Sequence, residues 1–89
     1  MNDNTVKSPE VESVGARIKR LRHEMGWTQR ELANFTGVSF RAVEKWESGQ
    51  RAPYLGNGVA LARCLGVTAE YLQLGYSRSF RREMGITPD

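Results

Sequence analysis

Cysteine and histidine occur once each in the 89 residues, as Cys64 and His23. A lone thiol cannot close an intramolecular disulfide or build a cysteine-based zinc site, and in a helical stretch it reads as a small core residue. His23 has no Cys, Asp or Glu constellation around it at ligand spacing, so it reads as a solvated or phosphate-facing side chain. The clustered titratable groups that hydrolases and transferases need are missing, which argues against an enzyme, a metal site or a bound cofactor. Long apolar stretches are missing as well. The longest run, Val59 to Ala62, falls far short of the ~18 residues that cross a bilayer. The amino terminus lacks a basic segment leading into an apolar one, so no secretory signal is expected and the cytoplasm is the expected location.

What is present is one small domain with an uneven charge. A chain of this length has a thin core that gains from pairing with a second copy. Lys and Arg number 13 against 10 acids, and residues 14–75 hold nine of those cations against five glutamates. The first thirteen residues are net acidic and the last fourteen slightly basic. A folded part that is also the basic part suits a polyanion, because nucleic-acid affinity is largely phosphate neutralisation with counterion release.

Residues 1–12 are polar, contain Pro9 and show no apolar periodicity, which predicts a disordered arm. With Lys7 alone against Asp3, Glu10 and Glu12, that arm is a poor DNA wrap. From Ser13, the apolar residues Val14, Ile18, Leu21 and Met25 form one helical stripe that Gly26 closes. Its other faces carry Arg17, Lys19, Arg20 and His23, a density suited to phosphates and equally to solubility. Thr28 and Glu31 are spaced as a capping box, and Trp27 before them can staple onto the helix they start. Gly37 offers the positive φ that ends a helix at little cost, and Ser39 can cap the next one, with Val43 and Trp46 inward and Gly49 as its stop. Two short helices joined by a turn of ~3–4 residues containing glycine make a helix-turn-helix, whose second helix enters the DNA major groove. Phe40, Arg41, Glu44 and Lys45 then point outward, either as the reading face or as an ordinary solvated one. A loop over residues 50–57 leads to a helix carrying Val59, Leu61, Ala62 and Leu65. Gly56 and Gly58 each cost ~1 kcal/mol against alanine, which predicts a late or frayed start. Thr68 caps a fifth helix with Tyr71, Leu72 and Leu74. The basic tail, residues 76–89, has room for a short sixth helix around Phe80 and Met84.

Residues Gly15 to Gly75 resemble the lambda-repressor-like (Cro-type, XRE-family) helix-turn-helix domain. The resemblance rests on Arg17 to Arg22, on Gly26-Trp27-Thr28-Gln29, Leu32-Ala33, Gly37-Val38-Ser39 and Trp46-Glu47-Ser48-Gly49, in order and at the family's spacing. It implies an all-α bundle of five helices over residues 13–75, with helices 2 and 3 as the helix-turn-helix. Carried over residue by residue, it places Phe40, Arg41, Glu44 and Lys45 at base edges, and Gln29, Ser39, Ser48, Arg51 and Arg20 at phosphates. It also implies that Arg22 pairs with Glu47 to hold helix 1 on helix 3, at a cost of ~3 kcal/mol or more if one partner is removed. Tyr71 and Leu72 stand where the family forms a two-fold dimer contact, with core packing as the rival role. Phe35 and Phe40 replace residues that are usually polar in the family. Phe35 is expected to be exposed, and Phe40 to meet a thymine methyl or a sugar edge.

The expected function is therefore a sequence-specific regulator of transcription, most simply a repressor. It binds a pseudo-palindromic double-stranded DNA operator as a homodimer, without a small-molecule ligand. The alternative is an antitoxin-like protein that binds a cognate protein, through Phe35 and the tail, and autoregulates its own promoter.

Overall fold

Ser13, Thr28, Ser39 and Thr68 each adopt extended backbone and accept a hydrogen bond from the amide three residues on, at Ala16, Glu31, Ala42 and Tyr71, over 3.0–3.1 Å. Each satisfies a donor that a helix start otherwise leaves open. The capping box at Thr28 is complete, since the Glu31 carboxylate accepts from the Thr28 N–H at 2.8 Å. In the computed structural model, which describes residues 12–75, these caps open α1 (Val14–Met25), α2 (Gln29–Thr36), α3 (Phe40–Ser48) and α5 (Ala69–Leu74). The fourth helix, α4 (Leu55–Leu65), starts behind Tyr54 without a side-chain cap. All five helices end on a glycine at positive φ; at Gly37 (φ 84°) this left-handed turn redirects the chain from α2 into α3.

The core gathers Ile18 and Leu21 of α1, Leu32 and Ala33 of α2, Val43 and Trp46 of α3, Leu61, Ala62 and Leu65 of α4, and Leu72 of α5. Val14, Trp27, Val38 and Tyr71 pack around its edge. The closest approach lies between α1 and α3. A Cβ on Gly15 would stand 2.1 Å from the Trp46 carbonyl oxygen, so only glycine lets α1 reach the end of α3.

Several side chains depart from what their positions in the sequence suggest. Arg17, grouped with the phosphate-facing cations, is 2 % exposed. Its Nη1 donates to the Leu72 carbonyl at 2.6 Å and its Nη2 to the Glu12 carbonyl. Leu72 lies in the last turn of α5, where carbonyls lack intrahelical partners, so a buried guanidinium closes that helix at its negative end. Leu72 itself is 0 % exposed and belongs to the core, which removes its side chain from any dimer contact. Met25 ends the apolar stripe of α1 but is exposed, because the helix runs past the core there. Cys64 is half-buried, its Sγ donating to the Phe35 carbonyl at 3.3 Å.

The late start expected for α4 is also overturned. The helix begins at Leu55 and includes both glycines, and the Gly58 N–H bonds the Tyr54 carbonyl at 2.8 Å. Gly58 is buried where α4 meets Gln73 of α5, so tertiary packing outweighs the propensity cost.

Glu12, counted with the arm by its composition, is described and bonded. Its carboxylate accepts from Arg20 Nε at 2.8 Å and Nη2 at 3.1 Å, and Oε1 lies 3.5 Å from Arg17 Nε. The remainder of the arm, residues 1–11, and the tail with its expected sixth helix lie outside the described residues.

Two outcomes test this packing. Gly15→Ala pushes a methyl into backbone that cannot swing aside, so it lowers unfolding free energy by about 1–3 kcal/mol in urea titration, and an unchanged midpoint contradicts the close approach. The hydrogen bond from Arg20 holds the Glu12 carboxyl below its ordinary 4.5, against the opposing effect of burial. A lowered carboxylate stabilises the fold above its unfolded value, and that contribution is lost as pH falls through the folded value. Arg20 is pushed further upward and stays charged throughout. Glu12→Gln therefore costs on the order of 1 kcal/mol or less near neutral pH, because solvent screens the half-exposed Arg20, and the deficit relative to wild type closes on acidification.

Candidate nucleic-acid interface

The position of α3 is set from behind by one carboxylate. Glu47 accepts from Arg22 Nε at 2.7 Å and from Arg22 Nη2 at 2.9 Å, and its Oε1 also accepts from Gln29 Nε2 at 3.0 Å. The remaining fork of Arg22, Nη1, donates to the Trp27 carbonyl at 2.8 Å. The side chains of Arg22 and Glu47 are 8 % and 3 % exposed. A bidentate, nearly dry pair thus joins α1, the entry to α2 and the last turn of α3. With Val43 and Trp46 turned into the core, the opposite face of α3 must face solvent.

That face carries Arg41 and Glu44 exposed and Lys45 half-buried. Arg41 and Lys45, one turn apart, form a ridge between two open depressions. On one side lie Lys19 of α1, Gln29 at the start of α2, Glu44, Ser48 and Gln50. On the other lie Ser39, Arg51, Tyr54 and Asn57. A projecting basic ridge with cations and amides along both flanks matches a groove bordered by two phosphate backbones.

The residues expected at phosphates fall unevenly on this surface. Arg51 is exposed at the edge of its depression. Gln29 is the first residue of α2, so its backbone N–H is among those a helix start leaves open, while its side chain is held on Glu47. Ser39 is occupied as the α3 cap, and Ser48 Oγ donates to the Lys45 carbonyl at 3.2 Å while accepting from Gln50 Nε2 at 3.1 Å. Arg20 stands apart. Its guanidinium is shared among Glu12 before α1, Glu24 of α1 and the Tyr71 hydroxyl of α5, and it lines neither depression beside the ridge.

Phe40 is half-buried at the first turn of α3, and the Arg30 guanidinium lies over its ring, 4.1 Å from the centroid. Sequence pattern assigns Arg30 no role. No local spacing could do so, since the two residues lie ten apart on different helices. Gln50, Tyr54 and Asn57 are likewise drawn to the ridge only by the packing, and of the α1 cations grouped by density Lys19 is the one beside it. Phe35 is 54 % exposed, tilted against Trp27 with ring centroids 4.6 Å apart. Among the described residues, no group of three or more His, Cys, Asp or Glu side chains could hold a metal ion, and no helix is long and apolar enough to cross a membrane.

This arrangement of α2 and α3 defines a helix-turn-helix protein, and the helix-turn-helix family matches residues 18–72. The chain belongs to that family, in its XRE branch. Among curated proteins it is 32 % identical over 66 residues to the SPbeta prophage-derived uncharacterized HTH-type transcriptional regulator YonR of Bacillus subtilis (strain 168), a match covering 74 % of this chain and 61 % of that one. Among solved structures it is similar to the P22 c2 repressor protein in complex with synthetic operator 9T, with TM-score 0.69 and 31 % identity over 72 % of this chain and 97 % of that one. It is also similar to the master regulator for biofilm formation SinR in complex with DNA, with TM-score 0.64 and 28 % identity over 66 % and 95 % of the two chains.

Glu47→Ala leaves Arg22 buried without its anion and removes the acceptor of Gln29. The expected loss is about 3–5 kcal/mol, a large share of the stability of so small a domain, read as a collapse of the thermal midpoint. Replacing both partners by apolar residues of similar volume, Arg22→Met with Glu47→Leu, restores most of it, and equal damage in the double variant contradicts a stranded-charge origin.

Proposed function

We propose that this protein is a sequence-specific double-stranded DNA-binding regulator of transcription, most simply a repressor, acting in the cytoplasm at the nucleoid. The observation that carries the reading is the ridge of Arg41 and Lys45 on α3, raised between two flanks that bear Lys19 and Gln29 on one side and Ser39 and Arg51 on the other. Family membership and the likeness to a repressor seen on a synthetic operator and to SinR seen on DNA support it.

In this reading α3 lies in the major groove. The planar fork of Arg41 meets N7 and O6 of a guanine, Lys45 meets an acceptor edge, and Glu44 accepts from a cytosine amino group. Gln29 through its backbone N–H, Ser39, Ser48 and Arg51 meet phosphates on either side of the groove. Arg20 has no place in this set, since its donors face Glu12, Glu24 and Tyr71.

A homodimer places two copies of α3 in successive major grooves, so the operator is a pseudo-palindrome with half-sites ~34 Å apart. The half-buried ring of Tyr71 and the exposed Leu74 give α5 apolar surface for a second copy, with the Tyr71 hydroxyl held by Arg20. Repression then follows by occluding the polymerase.

One observation favours a second reading. Phe35 presents a large apolar side chain outside the core and lines neither depression beside the ridge, as an antitoxin-like protein with a cognate protein partner would. A toxin-like reading frame beside the coding sequence would bring that reading forward.

The deciding experiment is selection of a random duplex library by the full-length protein at near-physiological salt. Enrichment of an inverted repeat is expected, and enrichment of no motif overturns sequence-specific regulation. Against the selected operator, Arg41→Ala relaxes base preference at one position per half-site, whereas Arg51→Ala weakens all duplexes alike and lowers the salt slope by about 1 per bound subunit. Exchange of those two signatures contradicts the base role of Arg41 and the phosphate role of Arg51.

A further inference from the structure

Phe40 and Arg30 form a unit that neither side chain suggests alone. Phe40 opens α3 in the position that leads into Arg41, and Arg30 follows Gln29 at the start of α2. Arg41 and Gln29, the chain neighbours of this pair, both line one depression, and the stacked pair ties the first turn of α2 to the first turn of α3. Arg30 is exposed, and among the described residues no carboxylate pairs with it. Its partner is a hydrocarbon ring face, which restrains the guanidinium plane but satisfies none of its five N–H donors.

An exposed arginine normally samples many rotamers, and ordering it on binding costs free energy that a stacked guanidinium has already lost in the free protein. The ring therefore leaves Arg30 flat, charged and with open donors in the first turn of α2, next in the chain to Gln29 of the proposed interface. The same contact covers a face of Phe40, which reduces what the ring can offer a thymine methyl.

We propose that Arg30 is a DNA phosphate contact and that Phe40 is its positioning residue, holding the guanidinium instead of reading a base. The assignment rests on the proposed DNA-binding function. It replaces the base-edge role expected for Phe40 and adds a cation to the phosphate set. The geometry favours a phosphate over a base because Arg30 stands on α2 and not on the reading helix, and because the paired oxygens of a phosphate match a planar, exposed guanidinium.

The test is a double-mutant cycle on the selected operator, with a salt titration for each protein. Arg30→Ala, an exposed substitution that leaves the core untouched, is expected to lower affinity about tenfold near physiological salt, consistent with one charge-assisted contact, and to reduce the salt slope by about 1 per subunit without altering the selected motif. Phe40→Leu keeps apolar bulk but removes the ring face. It should weaken binding in the wild-type background and have little effect once Arg30 is alanine, while Phe40→Tyr retains binding. Thermal midpoints of the variants confirm that each is folded. Additive losses, or a changed base preference in Phe40→Leu carrying Arg30→Ala, would show that Phe40 reads DNA itself and overturn the assignment. Unchanged affinity and slope in Arg30→Ala, with the wild type still selecting its motif, overturns it alone. Failure of the wild type to bind any duplex overturns the proposed function and this assignment with it.

Discussion

The ion pair between Arg22 and Glu47 is the constraint on which the rest of the domain depends. Two opposite charges are taken almost entirely out of water, so neither can be satisfied unless the other is in place at 2.7 Å. Arg22 belongs to α1 and Glu47 to α3, while Trp27 and Gln29, bonded to the same pair, belong to the entry of α2. Three segments are therefore oriented by one electrostatic requirement. An apolar contact of equal area would tolerate sliding and rotation, whereas a bidentate guanidinium–carboxylate pair fixes direction as well as distance. The outward face of α3 is aimed by that pair from behind.

A second anchor joins α1 to α5. Arg17 and Arg20, about one turn apart on α1, reach Glu12 and α5, with Arg17 on the carbonyl of Leu72 and Arg20 on the hydroxyl of Tyr71. A helix of six residues has little stability of its own, and its place comes from Leu72 in the core, from the Arg17 guanidinium at its open end and from Arg20 on the Tyr71 hydroxyl. The cationic density of α1 thus has more than one purpose. Arg17, Arg20 and Arg22 hold the fold together, and Lys19 alone among the cations between them borders the ridge.

The proposed interface inherits its order from these internal bonds. Gln29 is restrained by Glu47, Ser39 by its cap, Ser48 by its helix and Arg30 by Phe40. Much of the side-chain freedom that binding would remove is thus already lost in the free protein, while Arg41, Glu44 and Arg51 remain exposed. In the proposed function, restrained groups that position the domain, beside the exposed Arg41 and Glu44 at base edges, suit a protein that must find one operator among many duplexes.

Most helix limits were legible in the sequence because caps and stops are local: Thr28, Ser39 and Thr68 act on amides three residues away and a glycine follows each helix, whereas the start of α4, which no side chain caps, was not. The inward faces of Ile18, Leu32, Val43 and Trp46 were legible for the same reason, since helical periodicity repeats within a few residues. What only the tertiary structure decided lies between segments distant in the chain. Arg17 became a buried cap and Leu72 a core residue because α5 folds onto α1, more than fifty positions away. Gly15 is required by the end of α3, and Gly58 of α4 is buried where Gln73 of α5 packs beside it. Arg30 met Phe40 through the angle between two helices. Local hydrogen bonding and periodicity determine elements one at a time, but the partners of a long charged side chain depend on which surfaces meet, and no spacing within a single helix encodes that.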